Sequence, residues 1–328
     1  MPKSMNQKSK LLHIQKILLE ETDELHTITV NQIIAKLAER GIAAERKSIY
    51  DDIDTLQKFG LDVICTRSRS NAYFVGARVF ELPELKLLVD AVEASKFITG
   101  RKSLELIKKL EQCTSKFQAR NLHRQVFVQN RIKNMHESIY YNVDKLHLAI
   151  TEKKQITFKY MEWTLDKGET VRKNGGKYCE NPCALCWEND NYYLIAYNTK
   201  HGNCVHYRVD RMAEVEMLET ASDFGDLQCP FDPVAYTKQY FGMFGGEVTE
   251  VTLQFANELI GVVIDRFGKN ISIKKDTNED FIIKVSVAVS PVFFGWLLGL
   301  GAKVKILGPE AVQHDMVKYC KKILNNYK

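Results

Sequence analysis

The spacing of apolar residues changes along this chain, and that change most constrains the fold. From Glu81 to Ile150, apolar side chains recur every three or four positions, the spacing of amphipathic helices. From Lys154 the spacing becomes strictly alternating, as in Gln155–Tyr160 (QITFKY), which is typical of half-buried strands. The 328 residues exceed one typical domain. The sequence therefore predicts a multidomain α+β protein.

Composition narrows the class of protein. Apolar residues make up 45% and charged residues 27% of the chain, as in ordinary globular proteins. The net charge of +5 is mild, so an anionic partner must bind through local patches. No secretory signal precedes the eight cysteines, and the longest apolar run, Val292–Ala302, is about half the ~20 residues of a membrane span. We therefore expect a soluble cytoplasmic protein with free thiols and no membrane partner.

Residues 1–80 have the pattern of a winged helix-turn-helix. Three amphipathic helices are predicted, at Lys10–Thr22, Val30–Arg40 and Ala44–Phe59. Thr29 is the expected N-cap of the second helix, and Gly41 and Gly60 end the second and third. Two strand-like runs follow, and the basic stretch Arg67–Asn71 joins them as the tip of a wing.

The start of the third helix and the wing tip form the predicted DNA contact. In helix-turn-helix proteins the N-terminal part of this helix enters the major groove, and basic wing residues can reach phosphates or the minor groove. The predicted contacts are Arg46, Lys47, Ser48, Tyr50, Arg67 and Arg69. The alternative is that these are solvated polar residues. The nearby acids are expected to pair within the domain, namely Asp51, Asp52 and Asp54.

Residues 81–150 are predicted to form a helical connector that contributes to a homodimer. One apolar stripe consists of Leu85, Leu88, Val89 and Val92. Between Lys96 and Lys133, ten basic residues are opposed by only two acids. This basic face either touches DNA beside the site or is merely solvated.

Residues 151–222 contain about four short strands and are predicted to form a small Sm- or SH3-like β-barrel. Within it, Asn191–Met212 has the pattern of a hairpin, with an apolar-aromatic run, a polar Gly-containing turn and an alternating second run. Among its tyrosines lie His206, Arg208 and Arg211. Because guanidinium groups beside aromatic faces suit phosphates and bases, this hairpin is a candidate ligand site.

Strand alternation restricts how the two arginines can act. In a regular strand Arg208 and Arg211 point to opposite faces. Either a bulge brings them together, or only one lines the site. We favour Arg208 as the ligand contact, and the alternative for either arginine is an ion pair with Asp210 or a nearby acid.

The cysteines of this region superficially resemble a zinc site. The spacing is Cys179-x3-Cys183-x2-Cys186, with Cys204 and His206 nearby. However, Cys183 and Cys186 would face opposite ways on a strand, and apolar residues replace the usual metal-binding turn. We therefore predict buried cysteines and no metal.

The C-terminal residues 236–328 are predicted to form a ferredoxin-like α/β domain. Strand and helix patterns follow each other in the order β-α-β-β-α-β. The last helix covers about Pro309–Asn325.

Specific motifs resemble one family, the WYL-domain transcriptional regulators. Ser48–Leu56 (SIYDDIDTL) followed by Phe59-Gly60 resembles their DeoR-like winged helix. The runs ITFKY, NPCALCWENDNYYLIAYN and HYRVDRM resemble the WYL domain, with Tyr192-Tyr193-Leu194 at the Trp-Tyr-Leu position. Ser290-Pro291 through Gly295-Trp296-Leu297 resembles the extension that often follows a WYL domain.

The resemblance implies a ligand face built from Tyr and Arg on an Sm-like barrel, with nucleic acid or nucleotide as the ligand in several members. The matching positions are Tyr160, Tyr193, Tyr207, Arg208, Asp210 and Arg211, and His206 is a local variation beside them. It implies a homodimeric bacterial regulator that binds duplex DNA and senses a nucleotide, oligonucleotide or other anionic ligand, with no cofactor and no enzymatic activity. Two alternatives are a nucleotide-processing enzyme and an interaction scaffold that binds no DNA. No Gly-rich phosphate loop or nucleophile elbow supports the enzyme.

Overall fold

The computed structural model describes residues 7–67, 70–122, 138–225 and 232–327. The chain divides into two compact units, Met1–Met135 and His136–Lys328. The boundary lies inside the predicted connector at 81–150, so the last connector helix belongs to the second unit.

The first unit begins with three helices and a small sheet. The elements are α1 (Gln7–Glu21), β1 (Ile28–Thr29), α2 (Val30–Ala38), α3 (Arg46–Lys58), β2 (Val63–Arg67) and β3 (Asn71–Val75). The sheet order is β1-β3-β2, with both neighbouring pairs antiparallel. Apolar faces of all three helices form one core, which includes Ile14, Ile33, Ile49 and Val75.

Local signals set the ends of these helices, as the sequence predicts. The Thr29 hydroxyl accepts a hydrogen bond from the Gln32 N–H, and the Gln32 side chain accepts one from the Thr29 N–H. This reciprocal capping box satisfies two donors that a helix start leaves unpaired. Gly41 and Gly60 follow α2 and α3 with φ values of 70° and 107°, a region that glycine adopts without steric cost.

A second helical cluster completes the first unit. Its helices are α4 (Leu82–Ala94), α5 (Gly100–Glu111) and α6 (Lys116–Ala119). Leu85, Val89, Ile107 and Leu122 form its core. Arg78 ties the chain before this cluster to the end of α1 by donating to the Leu19 and Thr22 carbonyls at 2.8 and 2.6 Å.

The second unit opens with one helix and six strands. They are α7 (Ser138–Thr151), β4 (Lys154–Trp163), β5 (Glu169–Val171), β6 (Tyr178–Glu188), β7 (Asn191–Asn198), β8 (Asn203–Arg208) and β9 (Met212–Ala221). The sheet order is β5-β4-β6-β7-β8, and β9 pairs with β4, so the sheet curls into a half-barrel. A 3₁₀ turn, Val209–Arg211, carries the chain from β8 to β9.

Helix α7 packs on this sheet rather than acting as a free connector. The Asn142 amide donates to the Met212 carbonyl at 2.8 Å, and the Lys145 ammonium donates to the Val215 carbonyl at 2.9 Å. Leu146 and Ala149 are fully buried. The half-barrel therefore includes residues that the sequence assigned to the connector.

The remainder of the second unit is a four-stranded sheet with helices. Its elements are α8 (Pro233–Gln239), β10 (Glu247–Ala256), α9 (Ile260–Phe267), β11 (Ile273–Lys275), β12 (Asp280–Val289), α10 (Pro291–Gly299), β13 (Val304–Gly308) and α11 (Glu310–Asn325). The strand order is β11-β12-β10-β13, and every neighbouring pair is antiparallel. The predicted β-α-β-β-α-β order of elements is confirmed, and α8 precedes it.

The segment around α8 covers the outer face of the β7–β8 hairpin. Tyr240, Met243 and the partly buried Tyr236 pack with Ile195 of β7 in one apolar cluster. The hairpin therefore has two buried faces, because its other side contributes Leu194 and Tyr207 to the interior of the half-barrel. No helix in the described part of the chain is long and apolar enough to cross a membrane.

Candidate functional site

The end of the β7–β8 hairpin brings together most of the predicted ligand residues. Arg208 is the last residue of β8, and Arg211 is the last residue of the 3₁₀ turn that follows. Arg208 is the extended residue that caps this turn. A 3₁₀ turn, and not the bulge that the sequence left open as one of two alternatives, therefore separates the two arginines.

Both guanidinium groups act on one buried phenol. The Tyr160 hydroxyl accepts a hydrogen bond from the Arg208 backbone N–H at 3.1 Å. Burial raises the pKa of Tyr160, and the positive charges of Arg211 and Arg208 oppose that rise. Tyr193 lies directly opposite Arg208 in the β7–β8 register. We call Tyr160, Tyr193, Arg208, Asp210 and Arg211 the hairpin-end cluster.

Arg208 is held inside this cluster. Its Nε and Nη2 atoms donate to the two carboxylate oxygens of Asp210 at 3.0 and 2.7 Å, and Nη2 also donates to Asn191 Oδ1 at 2.8 Å. The hydrogen bonds to Asp210 raise the pKa of Arg208 above its usual value. The structure therefore has the ion pair that the sequence left open as the alternative for Arg208. Asn191 was not predicted as a site residue, although its position at the start of the hairpin is visible in the sequence.

Arg211 differs from Arg208 in its surroundings. It is partly exposed, and no described residue forms a hydrogen bond or ion pair with its guanidinium group. A guanidinium has five N–H donors in a planar fork, which suits a phosphate or carboxylate. Arg211 is thus the cation of the cluster with free donors for a ligand.

His206 shares the strand face of Arg208 but is covered by the α8 segment. Its Nδ1 atom donates to the Met243 carbonyl at 2.9 Å, because a carbonyl can only accept, and its Nε2 atom then accepts from the Tyr236 hydroxyl at 2.9 Å. Burial lowers the pKa of His206, which keeps the ring neutral. Both ring nitrogens are therefore used within the protein.

Tyr207 lies on the opposite strand face, inside the half-barrel. Its hydroxyl donates to Glu180 Oε1 at 2.7 Å, and its ring packs edge-on against Phe158 and Tyr160. Burial raises the pKa of the Tyr207 phenol, so it stays a donor. Of the six predicted ligand residues, four lie in the hairpin-end cluster, and His206 and Tyr207 have other surroundings.

The predicted DNA contacts at the start of α3 are of two kinds. Arg46 and Lys47 are exposed, and Arg46 Nη2 donates to the Tyr50 hydroxyl at 3.3 Å. Ser48 instead accepts a hydrogen bond from the buried ammonium of Lys10. That ammonium also forms an ion pair with Asp52 at 2.6 Å. Arg67 is exposed at the end of β2, and Arg69 lies outside the described residues.

Three of the four cysteines of the half-barrel are partly buried in an apolar setting, whereas Cys179 is exposed, so the prediction of a buried cysteine is wrong there. Cys183, Cys186 and Cys204 pack against the apolar cluster beneath α8. Burial raises the pKa of Cys186 to about 11, which favours the neutral thiol. The described residues contain no group of three His, Cys, Asp or Glu side chains placed to hold a metal ion.

The fold and the cluster define a protein with a helical N-terminal unit, a half-barrel and a C-terminal α/β region. Family models identify these parts. Residues 141–217 match the WYL domain, residues 247–324 match the WCX domain, and residues 13–68 match the D3 domain of FokI. The chain thus contains a WYL domain followed by a WCX domain, and the predicted resemblance to WYL-domain proteins is confirmed.

Two solved structures share remote similarity with the chain. Proteasome accessory factor B/C (PafBC) of Arthrobacter aurescens is 16% identical with a TM-score of 0.29, and the match covers 100% of this chain and 51% of that one. A CRISPR Cas-related protein is 12% identical with a TM-score of 0.41, covering 100% and 75%. This chain therefore spans about half the length of the first. None of the curated proteins searched matches the chain.

Proposed function

We propose that this WYL-domain protein is a transcriptional regulator that binds duplex DNA as a homodimer and has no enzymatic activity. Residues 1–80 act as a winged helix-turn-helix, with α3 in the major groove and the β2–β3 hairpin as the wing. The observation that carries the proposal is the pair of exposed cations, Arg46 and Lys47, at the N-terminal end of α3. A dimer is proposed because one such module reads too few base pairs for useful specificity.

The acids of α3 support this assignment because two of them are neutralised within the domain. Asp52 pairs with Lys10 at 2.6 Å, and Asp54 pairs with Lys58 at 2.6 Å. Phosphates approaching the start of α3 therefore meet Arg46 and Lys47 with reduced repulsion from these carboxylates.

We further propose that the hairpin-end cluster is the sensor of this regulator. The free donors of Arg211, the buried Tyr160 and the half-buried Tyr193 suit a phosphate-bearing ligand. Ligand binding would change DNA affinity only by favouring one arrangement of the two winged helices of the dimer over another. Arg208 contributes by holding Asp210 and Asn191 in place.

The DNA assignment is tested through salt dependence. Affinity for a random duplex should fall as salt rises. Lys and Arg side chains that bind phosphates release counterions from the DNA, and a higher salt concentration opposes that release. In the Lys47→Ala variant the slope of log affinity against log salt should decrease by about one, the value for one lost phosphate contact. Fluorescence anisotropy of a labelled duplex at several salt concentrations measures both slopes.

The matched control is Lys58→Ala, at the other end of the same helix. Lys58 is exposed and pairs with Asp54, so its loss should leave the slope unchanged. Equal slopes for the wild type and Lys47→Ala, or affinity that does not respond to salt, would overturn the assignment.

A further inference from the structure

A buried ammonium joins α1 to the start of α3. Lys10 lies near the beginning of α1 and is only 5% exposed. Its ammonium donates a hydrogen bond to the Ser48 hydroxyl and forms an ion pair with Asp52 Oδ2 at 2.6 Å. A charged group out of water is costly unless it is paired and hydrogen-bonded, and both conditions are met here. We call Lys10, Ser48 and Asp52 the buried-lysine triad.

The buried-lysine triad fixes the rotation of α3 against α1. Ser48 and Asp52 are four positions apart, so they lie on the same face of α3, one turn from each other. Both bonds come from one ammonium on a different helix. The apolar core that the helices share, which includes Ile14 and Ile49, attracts without a preferred direction. The directional bonds from Lys10 therefore hold α3 at one angle about its own axis.

The triad also decides which hydrogen bonds Ser48 can make. A lysine ammonium has three donors and no acceptor, whereas a hydroxyl has one donor and two acceptor lone pairs. Lys10 must therefore donate, and it occupies one lone pair of the Ser48 oxygen. The hydroxyl proton then points away from Lys10, and no residue in the described part of the chain accepts it. Ser48 is thus oriented as a donor toward a partner other than these residues.

The Ser48 hydroxyl lies in the turn of α3 that carries the exposed cations. Arg46, Lys47 and Ser48 are the first three residues of this helix. Ser48 is partly exposed, so its hydroxyl can reach a partner outside the protein. A phosphate oxygen is an acceptor, and serine hydroxyls are among the groups that contact phosphates in protein–DNA complexes. A phosphate drawn to Arg46 and Lys47 would therefore meet a donor that is already oriented.

These contacts give Lys10 a role in DNA binding although it is buried. We propose that Lys10 is a positioning residue, which holds α3 at a fixed angle and orients the Ser48 hydroxyl to donate to a phosphate oxygen of the duplex. The inference rests on the proposed DNA-binding function and adds to it an uncharged phosphate contact. The charge of Lys10 itself is used within the protein, on Asp52.

The test is a cycle of variants of the full chain, measured by fluorescence anisotropy with a labelled random duplex. Ser48→Ala removes the donor and should weaken binding about threefold to tenfold, the value of one hydrogen bond. The charge-balanced variant Lys10→Met/Asp52→Asn removes both charges of the ion pair and should weaken binding by a similar factor. Adding Ser48→Ala to it should have no further effect, because the hydroxyl is no longer oriented. The salt slope should stay at the wild-type value throughout, since no cation–phosphate contact is lost.

The matched control is Lys16→Met/Glu20→Gln, which removes an exposed ion pair from the same helix, α1. Exposed ion pairs contribute little, so this variant should change the affinity less than about twofold. Circular dichroism and thermal unfolding of every variant show whether it is folded at the temperature of the titration.

Any of three results would overturn the role of Lys10. An equal effect of Ser48→Ala in the wild-type and charge-balanced backgrounds would mean that Lys10 does not act through Ser48, as expected of a merely structural residue. A salt slope lower by about one in the charge-balanced variant would make Lys10 itself a phosphate contact. Unchanged affinity in Ser48→Ala or in the charge-balanced variant would leave nothing to position. All three leave the proposed function intact if Lys47→Ala lowers the slope, whereas a wild type that ignores salt would remove the proposed function itself.

Discussion

At the scale of single residues, His206 shows how packing changes the role of a side chain. The sequence places it on the same strand face as Arg208, and the structure agrees. Its imidazole nevertheless contacts Tyr236 and Met243, which are 30 and 37 positions away in the sequence. No local pattern around His206 indicates that a later segment covers it.

The lowered pKa of His206 makes stability depend on pH. In the unfolded chain a histidine has a pKa of about 6.5, whereas burial keeps the folded ring neutral to lower pH. Below about pH 6.5 the unfolded state therefore binds more protons, and this contribution to stability is lost as pH falls toward the folded pKa. We expect the unfolding free energy of the wild type to fall between pH 7.5 and 5.5.

The variant His206→Gln should lose less unfolding free energy over the same interval, because it lacks this titration. Urea denaturation at both pH values measures the difference. His201→Gln, in the exposed β7–β8 turn, should keep the wild-type pH dependence. An equal loss in His206→Gln and the wild type would contradict the explanation.

The two arginines illustrate what residue patterns can and cannot predict. Their clustering with tyrosines was visible in the sequence, and so was the alternative of an Arg208–Asp210 ion pair. Which group each arginine contacts depends on the 3₁₀ turn, and the residues of that turn carry no distinctive local signal.

At the scale of elements, local signals predicted helices best. The capping box at Thr29 and the glycines after α2 and α3 act within a few residues, so sequence alone locates them. The packing of α7 and α8 depends on contacts with distant strands. Consequently the periodicity of residues 81–150 predicted a helical connector but not the surface that α7 covers, and α8 was not predicted.

The capping box yields a prediction for the first unit. Removing the hydroxyl in Thr29→Ala leaves the Gln32 N–H without its acceptor, and the expected cost is about 1 kcal/mol of unfolding free energy. Chemical denaturation of the full chain, followed by helical circular dichroism, measures the loss. Thr55→Ala is the control, because the Thr55 hydroxyl bonds only to an exposed carbonyl within α3. Similar losses in both variants would contradict the importance of the cap.

At the scale of the whole molecule, two compact units separate the proposed tasks. The proposed DNA contacts all belong to the first unit, and the hairpin-end cluster, the proposed sensor, belongs to the second. A regulator built in this way must couple the units energetically. Any such coupling is reciprocal, because a ligand that changes DNA affinity has its own affinity changed by DNA by the same factor.

This reciprocity can be measured with defined probes. If a single-stranded DNA oligonucleotide occupies the hairpin-end cluster, it should change duplex affinity, and duplex should change oligonucleotide affinity by the same factor. In Arg211→Gln both factors should approach one. The control Lys200→Gln, which changes an exposed residue of the β7–β8 turn outside the hairpin-end cluster, should retain both factors. Paired anisotropy titrations, one with labelled duplex and one with labelled oligonucleotide, provide the four affinities. An absence of coupling in the wild type, or coupling that survives Arg211→Gln, would rule out this cluster as the sensor.

The 3₁₀ turn after β8 has a consequence for insertions and deletions in this part of the chain. With three residues per turn, each residue advances the chain by about 120° around the turn axis. Inserting or deleting one residue between Arg208 and Arg211 would thus swing the Arg211 guanidinium by about a third of a circle, away from the Tyr160 hydroxyl. Replacing Arg211 by lysine would shorten and reshape the donor but preserve its direction. The length of this short connection therefore matters as well as the chemical identity of its last cation.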